Sequence, residues 1–229
     1  MNFCETAYRS VIDRIEAARH IAERTDAVTL LAVSKTKPAA ALRALAQCGQ
    51  HAFGENYVQE ALGKQRELAD AAIEWHLIGP LQSNKCREVA THFDWLQSLD
   101  RTKLIEPLSR FRPAGRAALN VLAQVNIDDE DSKSGCAPDE LAALADAIAA
   151  APNLRLRGLM AIPAPAPDPG RRREAFRRMR ALFETLRATH AGVDTLSMGM
   201  SDDFALAIAE GATMVRVGTA LFGARSRDS

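Results

Sequence analysis

Short, almost continuously apolar runs alternate with amphipathic stretches along the whole chain, and this alternation limits its fold more than any other feature. Val28–Ser34 is nearly all apolar, as suits a parallel strand covered on both faces. Ala52–Gly54, Glu74–Ile78, Trp95–Leu99, Leu119–Ile127, Leu154–Ile162, Thr195–Met198 and Met214–Val217 bring the candidate strands to eight. Helical patterns precede or separate them at residues 5–24, Pro38–Gly49, Val58–Ala72, Asn84–His92, Pro138–Ala150, Glu174–Thr189 and Asp202–Glu210. In the first of these, Val11, Ile12 and Ile15 recur at spacings of three and four, which is the helical period. Eight such units within 229 residues are what a (β/α)₈ TIM barrel requires, here with an extra N-terminal helix. A doubly wound open sheet is the alternative, but no GxGxxG turn follows the first strand. No composition shift marks a boundary, so residues 1–229 are expected to form a single α/β domain.

Composition narrows the partners. Twenty-nine Lys and Arg balance 29 Asp and Glu, without the basic excess of a nucleic-acid binder. No apolar run reaches the ~18–20 residues of a membrane span. Glu5 and Arg9 interrupt the place where a signal peptide would be apolar. Cys4, Cys48, Cys86 and Cys136 are scattered without ligand spacing, so reduced thiols and a cytoplasmic setting are expected, with no metal site. The proline-rich piece from Ile162 to Gly170 reads as a loop, with Asp168 capping the next helix and Arg171–Arg173 as a solvated helix start.

In a parallel barrel the chemistry gathers at the C-terminal strand ends. Lys35 directly follows an apolar strand, so its stem should pack in the barrel mouth. A neutral lysine amine there attacks a carbonyl to form a Schiff base; the alternative is a lysine that simply reaches solvent. Lys37 reads as a surface residue. Gly199 and Gly218, at the seventh and eighth strand ends, let backbone N–H groups approach an anion, and Ser201 and Thr219 add hydroxyls. Ser201 also suits the N-cap of the helix Asp202–Glu210. A lysine amine facing a phosphate cup suggests a phosphorylated aldehyde, with pyridoxal phosphate foremost. Arg216 would point into the barrel toward a pyridine nitrogen, or else pair with a barrel acid such as Glu55. A class I aldolase would share the lysine and the cup but give Arg216 no clear role. His76 suits either acid–base chemistry or a hydrogen-bonded core, and Lys133 either a second reactive lysine or an exposed one.

Ala32–Pro38, Phe53–Glu60, Trp75–Lys85, Gly158–Pro163, Leu196–Asp203 and Val215–Gly223 closely resemble the pyridoxal-phosphate homeostasis protein family. The resemblance runs collinearly from the first helix to about Arg225. It implies a fold-type III barrel like the N-terminal domain of alanine racemase, with pyridoxal 5′-phosphate on Lys35 as a Schiff base. It also implies phosphate contacts from Ser201, Gly218 and Thr219, and Arg216 at the ring nitrogen. With Asn56 and Met198 these residues make up the expected cofactor-binding set. The expected function is storage, buffering or delivery of the cofactor by a monomer or weak dimer, with apoenzymes as recipients. A racemase-like enzyme on amino acids is the competing reading. It would need a second base opposite the lysine, and only Tyr8 and Tyr57 exist.

Overall fold

The computed structural model describes residues 3–128, 134–163 and 168–223; Lys133 therefore lies outside the described residues. Among these residues, eight parallel strands form a closed barrel in sequence order. They are β1 (Thr29–Val33), β2 (Ala52–Glu55), β3 (Glu74–Leu77), β4 (Trp95–Leu99), β5 (Leu119–Gln124), β6 (Leu154–Met160), β7 (Thr195–Ser197) and β8 (Met214–Val217). Closure is visible at β1, where Ala32 registers with Phe53 of β2 on one side and Val217 of β8 on the other. The outer ring consists of α1 (Phe3–Ile21), α2 (Ala39–Gln47), α3 (Val58–Glu67), α4 (Cys86–His92), α5 (Ile105–Phe111), α6 (Leu141–Ala150), α7 (Pro169–Thr189), α8 (Phe204–Ala209) and α9 (Thr219–Phe222). No described helix is long and apolar enough to cross a membrane.

The period of two in a strand divides its side chains between two compartments. Leu31, Ala52, Ile78 and Met214 meet in one cluster, and Trp95, Leu122 and Met160 in another; these fill the barrel. Leu30, Ala32, Phe53, Leu77 and Leu96 face the other way and pack with the helices in the main core. The expected β5 and β6 were longer than observed. Beyond Gln124 the chain leaves the ladder, and Val125 bridges Cys136 instead. The sequence reading lacked α5 and α9. Both are short, and Pro107 stands in the first turn of α5, where proline is tolerated but masks the helical pattern.

Two helix ends matter for the site. Asp168 caps α7 as expected, accepting a hydrogen bond from the Gly170 amide at 2.8 Å with proline at the helix start. Arg24, beyond α1, donates to the carbonyls of Ile208 (2.9 Å) and Ala212 (2.6 Å). Cations suit the carbonyl end of a helix, so Arg24 fixes the C-terminal end of α8 and the loop that leads from it into β8.

Candidate functional site

A cavity of about 540 Å³ opens at the C-terminal mouth of the barrel. Lys35, Asn56, Ser201, Arg216, Gly218 and Thr219 line it. The volume is that of a small-molecule site. Leu31 and Met214 lie inside the barrel, so Lys35, four residues after the first, and Arg216, two after the second, inherit inward positions from the strand period. Asn56 continues β2 in the same way. Gly79 holds it there, since a Cβ at Gly79 would lie 2.1 Å from the Asn56 carbonyl oxygen.

Met198 departs from the expected set. It stands one position out of phase with the inward Ser197, and its fully buried side chain belongs to the main core between barrel and helices. Its side chain does not line the cavity. Ser201 does, but it is not an N-cap: the helix starts two residues later than expected, with Asp203 at the cap position. The Asp203 carboxylate instead accepts from the Met200 amide at 2.6 Å, turning the loop at Ser201. Gly199, at φ +90°, lets that loop pass α8; a Cβ there would lie 2.5 Å from the Ala207 Cβ. Arg172 pairs with Asp203 at 3.1 Å, and Arg173 and Arg177 pair with Glu210. The arginine run is therefore more than a solvated helix start: Arg172 braces the loop carrying Ser201.

Arg216 is buried and does not meet Glu55, because the two side chains lie on opposite faces of the barrel wall. Its Nη1 donates to the Ser197 carbonyl and hydroxyl, each at 2.8 Å, and its Nη2 donates to the Ala161 carbonyl at 2.8 Å. Burial pushes the guanidinium down to about 10, which leaves it charged at neutral pH. A guanidinium has five N–H groups, so Nε and the second Nη2 proton remain for an acceptor in the cavity.

Behind Lys35 is a network the sequence reading missed. Ser34 and Glu55 face outward, and Lys64 of α3 reaches them. Its Nζ donates to Glu55 (2.6 Å), Glu60 (2.7 Å) and the Ser34 carbonyl (2.8 Å). The Ser34 hydroxyl also donates to Glu55 at 2.6 Å, while Glu60 accepts from the Thr36 amide at 2.6 Å. Both neighbours of Lys35 are thus tied to one cluster. Thr36 sits at φ +64°, a left-handed conformation that costs a β-branched residue of the order of 1–3 kcal/mol and persists only when its surroundings impose it. Lys37 is not a free surface residue either; its amine donates to the carbonyls of Phe222 (3.2 Å) and Gly223 (3.4 Å) and pins α9 against the Lys35 turn. The Glu60–Lys64 spacing of four residues was the one available signal, but on an amphipathic helix it reads as a solvated ion pair.

His76 is fully buried, stacked on Trp95 with ring centroids 5.1 Å apart, and bonded to Glu74 and Gln97. It does not line the cavity. Tyr57 is 62% exposed, and Tyr8 packs against the main core. The described residues hold no cluster of metal-ligating groups.

The family model for the alanine racemase N-terminal domain matches residues 10–226. The chain is similar to the pyridoxal phosphate homeostasis protein of Pseudomonas aeruginosa, with 59% identity over 94% of this chain and 93% of that protein. The protein of the same name from Escherichia coli is 54% identical, over 94% of each chain. Among solved structures, PipY of Synechococcus elongatus with PLP bound superposes with a TM-score of 0.81 at 39% identity, covering 92% of this chain and 99% of that one. Alanine racemase of Corynebacterium glutamicum shares the fold, with a TM-score of 0.64 at 21% identity; 60% of its length is covered.

Proposed function

This chain belongs to the alanine racemase N-terminal domain family and, within it, to the pyridoxal phosphate homeostasis proteins, and from that premise we propose that it holds pyridoxal 5′-phosphate reversibly for storage, buffering or delivery. The observation that carries this reading is one cavity lined by a lysine amine, a buried guanidinium with N–H groups to spare, and two hydroxyls at neighbouring strand ends. Pyridoxal phosphate brings an aldehyde that condenses with an amine, together with a ring nitrogen and a phosphate. Lys35 supplies the amine. Its Nζ has no hydrogen-bond partner among the described residues and is available for bonding. Arg216 supplies a donor to the ring nitrogen, and Asn56 a polar wall. Ser201 and Thr219 donate to the phosphate, whose close approach the bare backbone of Gly218 permits.

The Ser201 hydroxyl makes no bond within the described protein, so its loss is felt only by a ligand. Ser201→Ala and Thr219→Ala are each expected to weaken pyridoxal phosphate binding about ten- to a hundred-fold, the worth of a hydrogen bond to a charged group. Pyridoxal lacking its phosphate should respond little to either. Equal losses for both ligands in a titration would count against this phosphate site.

A carrier is favoured over an amino-acid enzyme. Arginine is not expected to give up its proton, so Arg216 leaves the ring nitrogen unprotonated and weakens the cofactor as an electron sink. Neither tyrosine lines the cavity that holds Lys35, and Tyr57 is turned to solvent. Incubating the loaded protein with L- and D-amino acids should give no sustained racemisation, decarboxylation or transamination. Multiple turnovers abolished by Lys35→Ala would refute the carrier reading. Recipient apoenzymes, a cytoplasmic setting and a monomer or weak dimer complete the proposal.

A further inference from the structure

A file of hydrogen-bonded polar side chains crosses the barrel beneath the cavity. Arg216 Nη1 donates to Ser197 Oγ at 2.8 Å. Ser197 Oγ donates to Gln97 Oε1 at 2.7 Å. Gln97 Nε2 meets His76 Nδ1 at 2.9 Å, and His76 Nε2 meets Glu74 Oε1 at 2.8 Å. Ser197, Gln97 and His76 are fully buried, whereas the Glu74 side chain, at the opposite end of the barrel, is 47% exposed.

The ends of this file set the direction of every bond in it. A guanidinium can only donate and a carboxylate can only accept. Ser197 Oγ accepts a hydrogen bond from Arg216 and so directs its own hydroxyl hydrogen to Gln97 Oε1. The amide group of Gln97 then faces His76, so Nδ1 is bare and the histidine hydrogen lies on Nε2, toward Glu74. Burial holds the His76 imidazolium below its usual range, in keeping with this neutral tautomer. The stack on Trp95, with the ring planes 9° apart, leaves the imidazole little freedom to turn. Gln97 Nε2 also contacts Met214 Sδ at 3.1 Å, which keeps the amide from reversing.

We propose that Gln97, His76 and Glu74 are positioning residues for Arg216, acting through Ser197 to fix where the guanidinium's remaining N–H groups point. Ser197 would otherwise be free to rotate its hydroxyl, and one of the three hydrogen bonds of Arg216 would lose its set geometry. Bonds aligned in one direction polarise each other, so the Glu74 carboxylate orients the file as a whole, while the carboxylate whose charge acts on the guanidinium is Asp203. The inference rests on Arg216 being the donor to the ring nitrogen.

The test compares the affinities of pyridoxal 5′-phosphate and its 1-deaza analogue, in which carbon replaces the ring nitrogen. The wild-type protein should prefer the nitrogen compound about ten- to a hundred-fold. Gln97→Met and Ser197→Ala should each cut that preference several-fold, and together little further, because they interrupt one file. Both ligands should still be trapped on Lys35 by borohydride. A wild-type preference that survives both substitutions overturns the relay alone. No preference in the wild type overturns the placement of Arg216 as well. A second reading needs neither ligand nor variant. In ¹⁵N-histidine-labelled wild-type protein, His76 should carry its proton on Nε2 with a hydrogen-bonded, bare Nδ1. A proton on Nδ1 at neutral pH would overturn the relay even if the Gln97 variants fail to fold.

Discussion

Replacing Lys64 with methionine is expected to destabilise the fold by about 3–5 kcal/mol, the usual cost of removing one partner from a buried ion pair. The lysine side chain is 7% exposed and Glu55 is fully buried. Without the ammonium group, the fully buried Glu55 is left without its cation beside the partly exposed Glu60, and the Ser34 carbonyl loses its donor. The loss should depend on pH. Burial already holds the Glu55 carboxyl above the usual carboxylate range, with Lys64 and Ser34 pulling it down. A carboxyl raised in the folded state binds protons there more readily than in the unfolded chain. Its contribution to stability therefore falls as pH rises through the raised value. Lys64→Met removes the main opposing pull and raises the carboxyl further, so the gap between wild type and variant should widen from about pH 5 to about pH 8. Urea unfolding at the two pH values checks this. The same loss at both would mean that Glu55 is not the group left stranded. Adding Glu55→Gln to Lys64→Met should recover part of the stability at the higher pH.

Lys35→Ala has the opposite profile, with stability nearly unchanged and capture of the cofactor lost. The Lys35 amine bonds to no described residue, so the variant should unfold within about 0.5 kcal/mol of wild type. Borohydride should fix a pyridoxyl group to the wild type, and peptide mapping should place it on Lys35. In the variant the label should fall to background, with only the weaker, reversible binding supported by Ser201, Thr219 and Arg216. Lys37 should not substitute, because its amine is engaged by the carbonyls at the end of α9. A label on Lys37 in the wild type would sink the assignment.

Both predictions concern the same short turn, and they divide what holds it from what it does. Ser34 and Thr36 anchor the turn outward, through Glu55, Lys64 and Glu60, and Lys35 is the one of the three that faces the cavity. A positive φ at Thr36 follows from this double anchoring. The relay through Gln97 does the same for Arg216 from inside the barrel. The two cationic groups of the site are thus each braced by a carboxylate outside the cavity: Glu55 on the wall behind Lys35, and Glu74 at the far mouth.

Much of this architecture follows from local pattern. Apolar runs alternating with amphipathic stretches require a parallel sheet covered by helices, and eight of them close it into a barrel. The period of two then sends Lys35, Asn56, Arg216 and Gly218 to one mouth, because strand ends inherit the facing of the strand before them. The same rule, applied at β7, would have turned the Met198 side chain away from the cavity. Asp168 before Pro169 was likewise readable, since a cap acts within a single turn. What the tertiary structure alone decided are partnerships between residues far apart in the chain: Lys64 with Ser34, Lys37 with Phe222, Arg172 with Asp203, and Gln97 with both His76 and Ser197. A lysine on an amphipathic helix reads as solvated until a neighbouring strand places a carboxylate and a carbonyl within hydrogen-bond reach. A glutamine in an apolar strand shows no direction until an arginine at one end of its file and a glutamate at the other dictate it. Periodicity sets which way a side chain faces, but only barrel closure sets what it meets there.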